Sequence, residues 1–150
     1  MLVNRLAAVG VGIVLAVGLS SGPANAASVT TRFENQVEPL KCLDFRADRG
    51  VYVTGCNSGD YQKWIWSRTP DFTALRQVAT RLCLTLRNGQ VTMKPCAAAD
   101  KAALWSVIET PNGTQLVNSV SGTCLARLAN DNVHVARCTF GDSQRWLVLP

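Results

Sequence analysis

Downstream of residue 27 the chain alternates short apolar and polar runs, a pattern typical of β-strands rather than helices. The clearest runs are Val51-Tyr52-Val53, Val91-Thr92-Met93 and Val133-His134-Val135. Each run follows a cluster of turn formers, namely Asp48-Arg49-Gly50, Asn88-Gly89 and Asn130-Asp131-Asn132. Such residues accept positive φ angles or make local hydrogen bonds where a chain reverses. No long apolar stripe at helical spacing follows, so the sequence predicts an all-β domain.

The strand pattern repeats at a fixed offset. Cys42, Cys83 and Cys124 are 41 residues apart, and a leucine follows each of them. Trp64, Trp105 and Trp146 keep the same spacing. An exact offset shared by residues of several types is the signature of an internal repeat. The domain is therefore predicted to consist of three copies of one unit of about 41 residues.

The second cysteine of each copy follows the first by 13 or 14 residues. The simplest pairing is within each copy: Cys42 with Cys56, Cys83 with Cys96, and Cys124 with Cys138. Each bridge closes a short loop and, on the chain-entropy model, adds about 3 kcal/mol to the stability of the fold. Zinc binding is the alternative use of cysteine, but close ligand pairs are absent from the sequence and His134 is its single histidine. The sequence thus predicts three disulfides and no metal or other cofactor.

Three small all-β units favour one particular architecture. A propeller needs at least four blades, whereas three copies can converge around a pseudo-three-fold axis and close a small barrel. One copy is too small to bury its own tryptophan and leucine, so the copies must share one core. The predicted fold is a β-trefoil with one disulfide inside each repeat.

The first 26 residues are predicted to be a secretory signal peptide. Arg5 precedes an apolar run over residues 6–19, and small residues end the segment at Ala24-Asn25-Ala26. A membrane anchor is the alternative, but a spanning helix needs roughly 20 apolar residues. Cleavage after Ala26 would leave one domain over residues 27–150, secreted to the extracellular side and without a membrane span. Disulfides are expected in that compartment.

The charge of the chain argues against a nucleic-acid partner. Only Arg5 of the 15 Lys and Arg residues precedes residue 27, so the net charge falls from +5 to +4 on cleavage. The basic residues are scattered singly among acidic ones, whereas a nucleic-acid binder concentrates them on one face. We expect the charged side chains to form an ordinary solvated surface, and the net positive charge to give the protein a weak attraction to anionic cell surfaces.

Two short motifs carry a family resemblance. Cys42-Leu43-Asp44 and Gln62-Lys63-Trp64 resemble the Cys-Leu-Asp and Gln-x-Trp signatures of ricin B-type lectins, and Gln144-Arg145-Trp146 repeats the second. The resemblance extends over residues 32–150. It implies a β-trefoil fold and a sugar-binding function without catalysis.

The resemblance also implies which residues contact a sugar. In that family, the aspartate two residues after the first cysteine accepts hydrogen bonds from sugar hydroxyls, a task for which a carboxylate is well suited. An aromatic ring before the second cysteine stacks on the sugar, and polar groups around Gln-x-Trp complete the pocket. The first repeat keeps Asp44 and Gln62 but has Thr54 in place of the ring. Tyr52 or Tyr61 is expected to replace the missing stacking surface.

The other two repeats lack these residues. The second repeat has Thr85, Lys94 and Ala103 in the three positions, and the third has Ala126 and Ala136 but retains Gln144. At most one sugar site, in the first repeat, is therefore expected. Gln144 is expected to satisfy backbone groups, and Gln62 has that structural alternative as well.

Three functions are compatible with these residues. The first is a glycan-binding protein whose sugar the sequence does not name. The second is a protein-interaction subunit on a degenerate lectin scaffold, as in the delivery subunits of cytolethal distending toxins. An enzyme is the least favoured, because nucleophilic chemistry would rest on His134 alone and a glycosidase would need paired carboxylates such as Asp44, Asp60 and Asp142.

Overall fold

The computed structural model describes residues 27–150, so the predicted signal peptide lies outside the described residues. Thirteen short strands make up the described part of the chain. They are β1 (Ser28–Asn35), β2 (Lys41–Arg46), β3 (Gly50–Thr54), β4 (Trp64–Ser67), β5 (Thr73–Ala74), β6 (Arg76–Gln77), β7 (Leu82–Arg87), β8 (Gln90–Pro95), β9 (Leu104–Thr110), β10 (Gly113–Asn118), β11 (Cys124–Arg127), β12 (Val133–Ala136) and β13 (Trp146–Leu149). Single 3-10 turns span Asp60–Gln62, Lys101–Ala103 and Asp142–Gln144. Over residues 27–150 no helix has the length and apolar character required to span a bilayer.

The strands form three equivalent sets of four when β5 and β6 are counted as one strand interrupted at Leu75. The first strand of each set pairs with the last strand of its own set and with the last strand of the preceding set. These pairings close a ring of β1, β4, β5 with β6, β9, β10 and β13. The predicted β-trefoil of three repeats is therefore confirmed.

The two middle strands of each set form a hairpin: β2 with β3, β7 with β8, and β11 with β12. The hairpins also contact one another around the pseudo-three-fold axis. The predicted turn residues adopt the positive φ angles that these reversals require, +82° at Gly50, +50° at Asn88, +74° at Gly89 and +68° at Asp131. The turn composition thus fixes where each hairpin reverses.

The three tryptophans lie at the centre of one shared core. Trp64, Trp105 and Trp146 are fully buried. The indole Nε1 of each donates a hydrogen bond to the carbonyl of the leucine after the first cysteine, at 3.2 Å to Leu43, 2.8 Å to Leu84 and 3.1 Å to Leu125. A buried indole N–H needs such a partner. This bond ties the last strand of each repeat to its own hairpin.

The remaining buried apolar side chains surround the indoles. They are Phe33, Leu43, Val51, Val53, Trp66, Leu75, Leu84, Met93, Leu116, Leu125 and Val133. All three repeats contribute to this one cluster, as expected if no repeat buries its apolar face alone.

Each repeat contains its own disulfide, as predicted. The bridges join Cys42 to Cys56, Cys83 to Cys96, and Cys124 to Cys138, with Cα–Cα distances of 4.9, 5.1 and 5.0 Å. Each bridge ties the first strand of a hairpin to the segment that follows its second strand. The loop leading to the 3-10 turn is thereby held against the hairpin.

An ionic cluster fixes the connection between β1 and β2. Arg127, only 9% exposed, donates to the carbonyls of Val37 and Pro39 at 2.8 Å each. Asp131 accepts from Arg127 at 2.8 Å and also from Lys41. The first and third repeats are therefore joined through one carboxylate.

Candidate functional site

The hairpin of the first repeat brings Asp44 and Tyr52 directly opposite each other. Asp44 pairs with Tyr52, and Cys42 pairs with Thr54, in the register of β2 and β3. Because side chains alternate across a strand, Leu43 points to the core while Asp44 lies on the opposite face. The register follows from the turn at Asp48-Arg49-Gly50, so the sequence places these two polar side chains together.

A cavity of about 480 Å³ opens on this face, and we call it the repeat-one cavity. Its lining side chains and backbone come from Asp44, Arg46, Tyr52, Thr54, Asn57, Gly59 and Tyr61. They belong to the hairpin, to the loop after Cys56 and to the start of the first 3-10 turn. The disulfide between Cys42 and Cys56 holds these segments at one place.

Asp44 is the unusual residue of the cavity. Its side chain is only 4% exposed, yet its Oδ1 atom has no hydrogen-bond partner among the described residues. Its Oδ2 atom accepts one bond, from Nε2 of Gln62 at 3.1 Å. A buried polar atom without a partner costs about 1–3 kcal/mol, and more when it is charged. Asp44 also lines the cavity, so its carboxylate is a candidate acceptor for a donor that enters the cavity.

Gln62 lies behind Asp44, away from solvent. It is fully buried, and its Nε2 donates to Asp44 and, at 3.0 Å, to the carbonyl of Gly55. Its Oε1 accepts from the backbone N–H of Asn57 at 2.8 Å. With every polar atom of its amide used, Gln62 positions the carboxylate and the loop after Cys56 and leaves ligand contact to its neighbours.

Gln144 shows the same arrangement without the carboxylate. Its Oε1 accepts from the N–H of Thr139 at 2.7 Å, and its Nε2 donates to the carbonyl of Arg137 at 2.8 Å. Alanine at position 126 leaves it no side-chain acceptor. The glutamine is thus a structural brace of the loop in both repeats, and only in the first repeat does it also hold a site residue.

The two tyrosines occupy different positions in the cavity. Tyr61 is 49% exposed, whereas Tyr52 is 5% exposed and lies beneath the guanidinium of Arg49, whose Cζ is 4.1 Å from its ring centroid. Of the two, Tyr61 has the accessible ring that stacking on a sugar requires. Tyr52 also lines the cavity, but little of its surface is accessible.

Burial raises the pKa of the Tyr52 hydroxyl above its usual 10.0, and the charge of Asp44 and the closeness of its carboxylate to the phenol O–H raise this pKa further. Arg46 and Arg49 act in the opposite direction and offset part of this effect. The phenol consequently remains protonated through neutral pH and is available to donate a hydrogen bond.

The equivalent positions of the second repeat are filled by its own side chains. Thr85, the counterpart of Asp44, is buried and its hydroxyl accepts a hydrogen bond from Nη1 of Arg87 at 2.7 Å. Nη2 of Arg87 pairs with the carboxylate of Asp100. Lys94 is exposed in the position of the ring. Internal contacts have replaced an open site here.

The third repeat offers small side chains instead. Ala126 lies opposite His134 in the register of β11 and β12, and Ala136 lies opposite Cys124. His134 lines a separate cavity at the meeting point of the hairpins and is not among the residues that line the repeat-one cavity. Neither alanine can accept a hydrogen bond through its side chain.

Among residues 27–150, Glu34, Cys42 and Cys56 form a group whose side-chain ligand atoms lie within 4.8 Å of one another. The two cysteines are joined in a disulfide, so neither offers the thiolate that a metal would bind. This group is therefore a disulfide next to the Glu34 side chain and does not form a metal site.

Sequence reasoning missed three of the residues that line the cavity: Arg46, Asn57 and Gly59. The signal for Arg46 was available, because residues two apart on a strand share a face. Asn57 and Gly59 gave no comparable signal, because the path of the loop after Cys56 depends on the bonds to Gln62.

Solved structures of other proteins share this fold. The designed three-fold symmetric protein ThreeFoil matches with a TM-score of 0.72 and 18% identity over 81% of this chain and 98% of that chain. SeviL, solved bound to asialo-GM1 saccharide, matches with a TM-score of 0.65 and 19% identity over 80% of this chain and 95% of that chain. A chain of the Haemophilus ducreyi cytolethal distending toxin matches with a TM-score of 0.67 and 11% identity, covering 81% and 83%. At these identities the likeness establishes the fold alone.

Sequence comparison identifies the family. No curated protein matches the chain in sequence. The family model of the ricin-type beta-trefoil lectin domain, however, matches residues 29–146, which is nearly all of the described part. With the three-fold strand pairing, the three disulfides and the repeated tryptophan bonds, this match shows that the chain belongs to the ricin-type beta-trefoil lectin family.

Proposed function

We propose that this chain is a secreted carbohydrate-binding protein whose one sugar site is the repeat-one cavity. The observation that carries the proposal is the buried, unpartnered Oδ1 of Asp44 on the cavity wall. A sugar presents several hydroxyl donors on one rigid ring, and a carboxylate accepts such donors more strongly than a neutral group does. A bound sugar would thus donate the hydrogen bond that Oδ1 of Asp44 does not receive from the protein.

The other cavity residues complement a sugar in the same way. Tyr61 presents a half-exposed ring to an apolar sugar face, and Asn57 and Thr54 offer short polar groups. Thr54 replaces the stacking ring of the family, so less apolar area is covered than in a complete site. One such site is expected to bind near the millimolar range, about −4 kcal/mol, so useful avidity would require clustering.

We propose no catalytic role for this cavity. Hydrolysis of a glycosidic bond uses two carboxylates that flank the bond. Asp44 is the single carboxylate among the residues that line the cavity. Asp60 and Asp142, the other members of the trio considered from sequence, pair with Lys63 and Arg145 at the 3-10 turns of two different repeats.

Export of the protein is part of the same proposal. We infer that residues 1–26 are removed after Ala26, because three disulfides require an oxidising compartment and glycans face the outside of cells. Edman sequencing of the protein from culture medium would then begin at Ala27. Recovery of the intact chain in the membrane fraction would instead indicate the anchor.

A glycan array tests the sugar site directly. The wild-type protein should give saturable binding to a defined set of glycans, and Asp44→Ala should abolish it. Asp71→Ala is the matched control, since Asp71 is exposed and does not line the cavity. Retained binding in Asp44→Ala would remove the repeat-one cavity as the site.

The alternative function is a protein-interaction or toxin-delivery subunit on a degenerate lectin scaffold. Two observations favour it: the site positions in the second and third repeats hold no open acceptor, and Phe140 is 73% exposed on the loop after Cys138. Co-purification of the untagged secreted protein from its native source separates the two functions. A stoichiometric partner lost in Phe140→Ser, without glycan affinity, would support the alternative.

A further inference from the structure

We propose that the repeat-one cavity selects glycans that carry a carboxylate, with Arg46 binding the carboxylate while Asp44 accepts a sugar hydroxyl. This inference rests on the proposed function and names the chemical class of its ligand. The carboxylate can belong to a uronic acid or to a sialic acid, and the experiment below treats these sources separately.

The first support is the free hydrogen-bonding capacity of Arg46. It lies two residues after Asp44 on β2 and lines the same cavity. Its side chain is 59% exposed, and its one ion pair joins Nε to Asp48 at 3.3 Å. Neither terminal nitrogen donates a hydrogen bond to another group among residues 27–150, since the pair with Asp48 joins through Nε. A guanidinium presents these nitrogens in a planar fork that matches the two oxygens of a carboxylate.

The second support comes from the second repeat, which contains the proposed complex within its own chain. Arg87 is the counterpart of Arg46 by the 41-residue offset. Its guanidinium donates to Thr85, the counterpart of Asp44, and at the same time pairs with the carboxylate of Asp100. An arginine at this strand position therefore reaches both the residue at the Asp44 position and a carboxylate at the position just before the 3-10 turn.

The third support is that the first repeat lacks that internal carboxylate. Asp100 immediately precedes the second 3-10 turn, and the residue in the same place before the first turn is Gly59. Gly59 lines the repeat-one cavity and has no side chain, so this repeat supplies no carboxylate at the position of Asp100. The cavity has the arginine but no counterpart of the Asp100 carboxylate, so a carboxylate of the ligand can take that role once the flexible Asn57 side chain moves aside.

The third repeat provides the internal contrast. Leu128 holds the arginine position, and Gly141 precedes the turn. Arginine and carboxylate are both absent there, so neither residue alone is a requirement of the fold. The second repeat has both groups, whereas the first has the arginine without a carboxylate before its 3-10 turn, which is the arrangement that a carboxylate of the ligand would complete.

The test compares matched acidic and neutral saccharides by isothermal titration calorimetry with the secreted, oxidised protein. One arm uses sialyllactose against lactose, and the other uses a glucuronic-acid disaccharide against its glucose equivalent. At low ionic strength, we expect at least one acidic saccharide to bind roughly tenfold more tightly than its neutral partner, the increment of one good charge-assisted contact. The arm that shows this ratio identifies the source of the carboxylate.

Two variants assign the effect to Arg46. Arg46→Gln should reduce the ratio to about one, whereas Arg137→Gln, which removes the same charge from an exposed residue outside the cavity, should preserve it. Gly59→Asp should also remove the preference by supplying an internal carboxylate. Its Cβ would lie 2.8 Å from Oδ1 of Asn57, the end of a flexible side chain that must move aside.

Each outcome has a definite consequence. Equal affinity for acidic and neutral saccharides in the wild type overturns this inference and leaves the sugar site standing. A ratio that persists in Arg46→Gln, or loss of all binding in that variant, also overturns the role assigned to Arg46. If none of the four saccharides binds but the glycan array shows binding to neutral glycans only, this inference falls and the sugar site stands. Absence of binding both to these saccharides and on the array overturns the proposed function itself, and the inference with it.

Discussion

Asp44→Asn removes the charge of the cavity carboxylate while keeping its shape and one acceptor oxygen for Gln62. In the wild type this carboxylate is 4% exposed and accepts a single hydrogen bond, and its Oδ1 has no partner. A neutral amide is less costly to bury than a carboxylate in the same place. We therefore expect the variant to be more stable than the wild type.

The magnitude follows from the same contacts. An unsatisfied buried group costs about 1–3 kcal/mol, and the amide recovers only part of this because its NH₂ also lacks a partner. The expected gain is about 1 kcal/mol in the free energy of unfolding. Glycan affinity should fall at least roughly tenfold, because a charge-assisted bond is replaced by a neutral one.

The assay is urea denaturation of the oxidised protein, followed by tryptophan fluorescence, with glycan titration on the same samples. Asp71→Asn is the control and should change stability by less than about 0.5 kcal/mol, as exposed substitutions usually do. A loss of 1 kcal/mol or more in Asp44→Asn would refute the reasoning, because it would show that the carboxylate stabilises the fold rather than awaiting a ligand.

Two further predictions concern the buried polar groups. Gln62→Leu and Gln144→Leu should each lower the free energy of unfolding by about 1–3 kcal/mol, because each leaves backbone groups unpaired. Only Gln62→Leu should also weaken glycan binding. Equal effects of the two variants on binding would contradict the positioning role of Gln62. Lys41, and then Arg127, holds the pKa of Asp131 below its usual 3.8. Its stabilising contribution is therefore present above pH 4 and lost as the pH falls through the lowered pKa. Urea denaturation at pH 6 and pH 3 should show a wild-type advantage over Asp131→Asn that shrinks at pH 3, and a constant advantage would refute the linkage.

The spacing of repeated residues along the sequence predicted much of the fold. The 41-residue offset of cysteine, leucine and tryptophan predicted three repeats, one shared core and three disulfides within repeats, and the structure confirms each. The turn residues before β3, β8 and β12 were equally informative, because positive φ angles favour glycine, asparagine and aspartate.

The sequence predicted the candidate site only in part. The resemblance in the Cys-Leu-Asp motif pointed to Asp44, which the structure places on the wall of a cavity. It gave Gln62 two possible roles, and burial together with three hydrogen bonds makes it a support for Asp44 and the loop after Cys56. Whether Tyr52 or Tyr61 is the accessible ring depended on the hairpin packing beneath Arg49.

The sequence by itself determined the repeat, its bridges and the alternation that sorts core from surface, because these depend on contacts within about 41 residues that recur three times. Only the tertiary structure decided which polar atoms remain unpaired, because hydrogen-bond satisfaction depends on every segment that converges on a point. At Asp44 those segments are a hairpin, a disulfide-held loop and a 3-10 turn. Their meeting leaves Oδ1 of Asp44 buried and without a hydrogen-bond partner among the described residues.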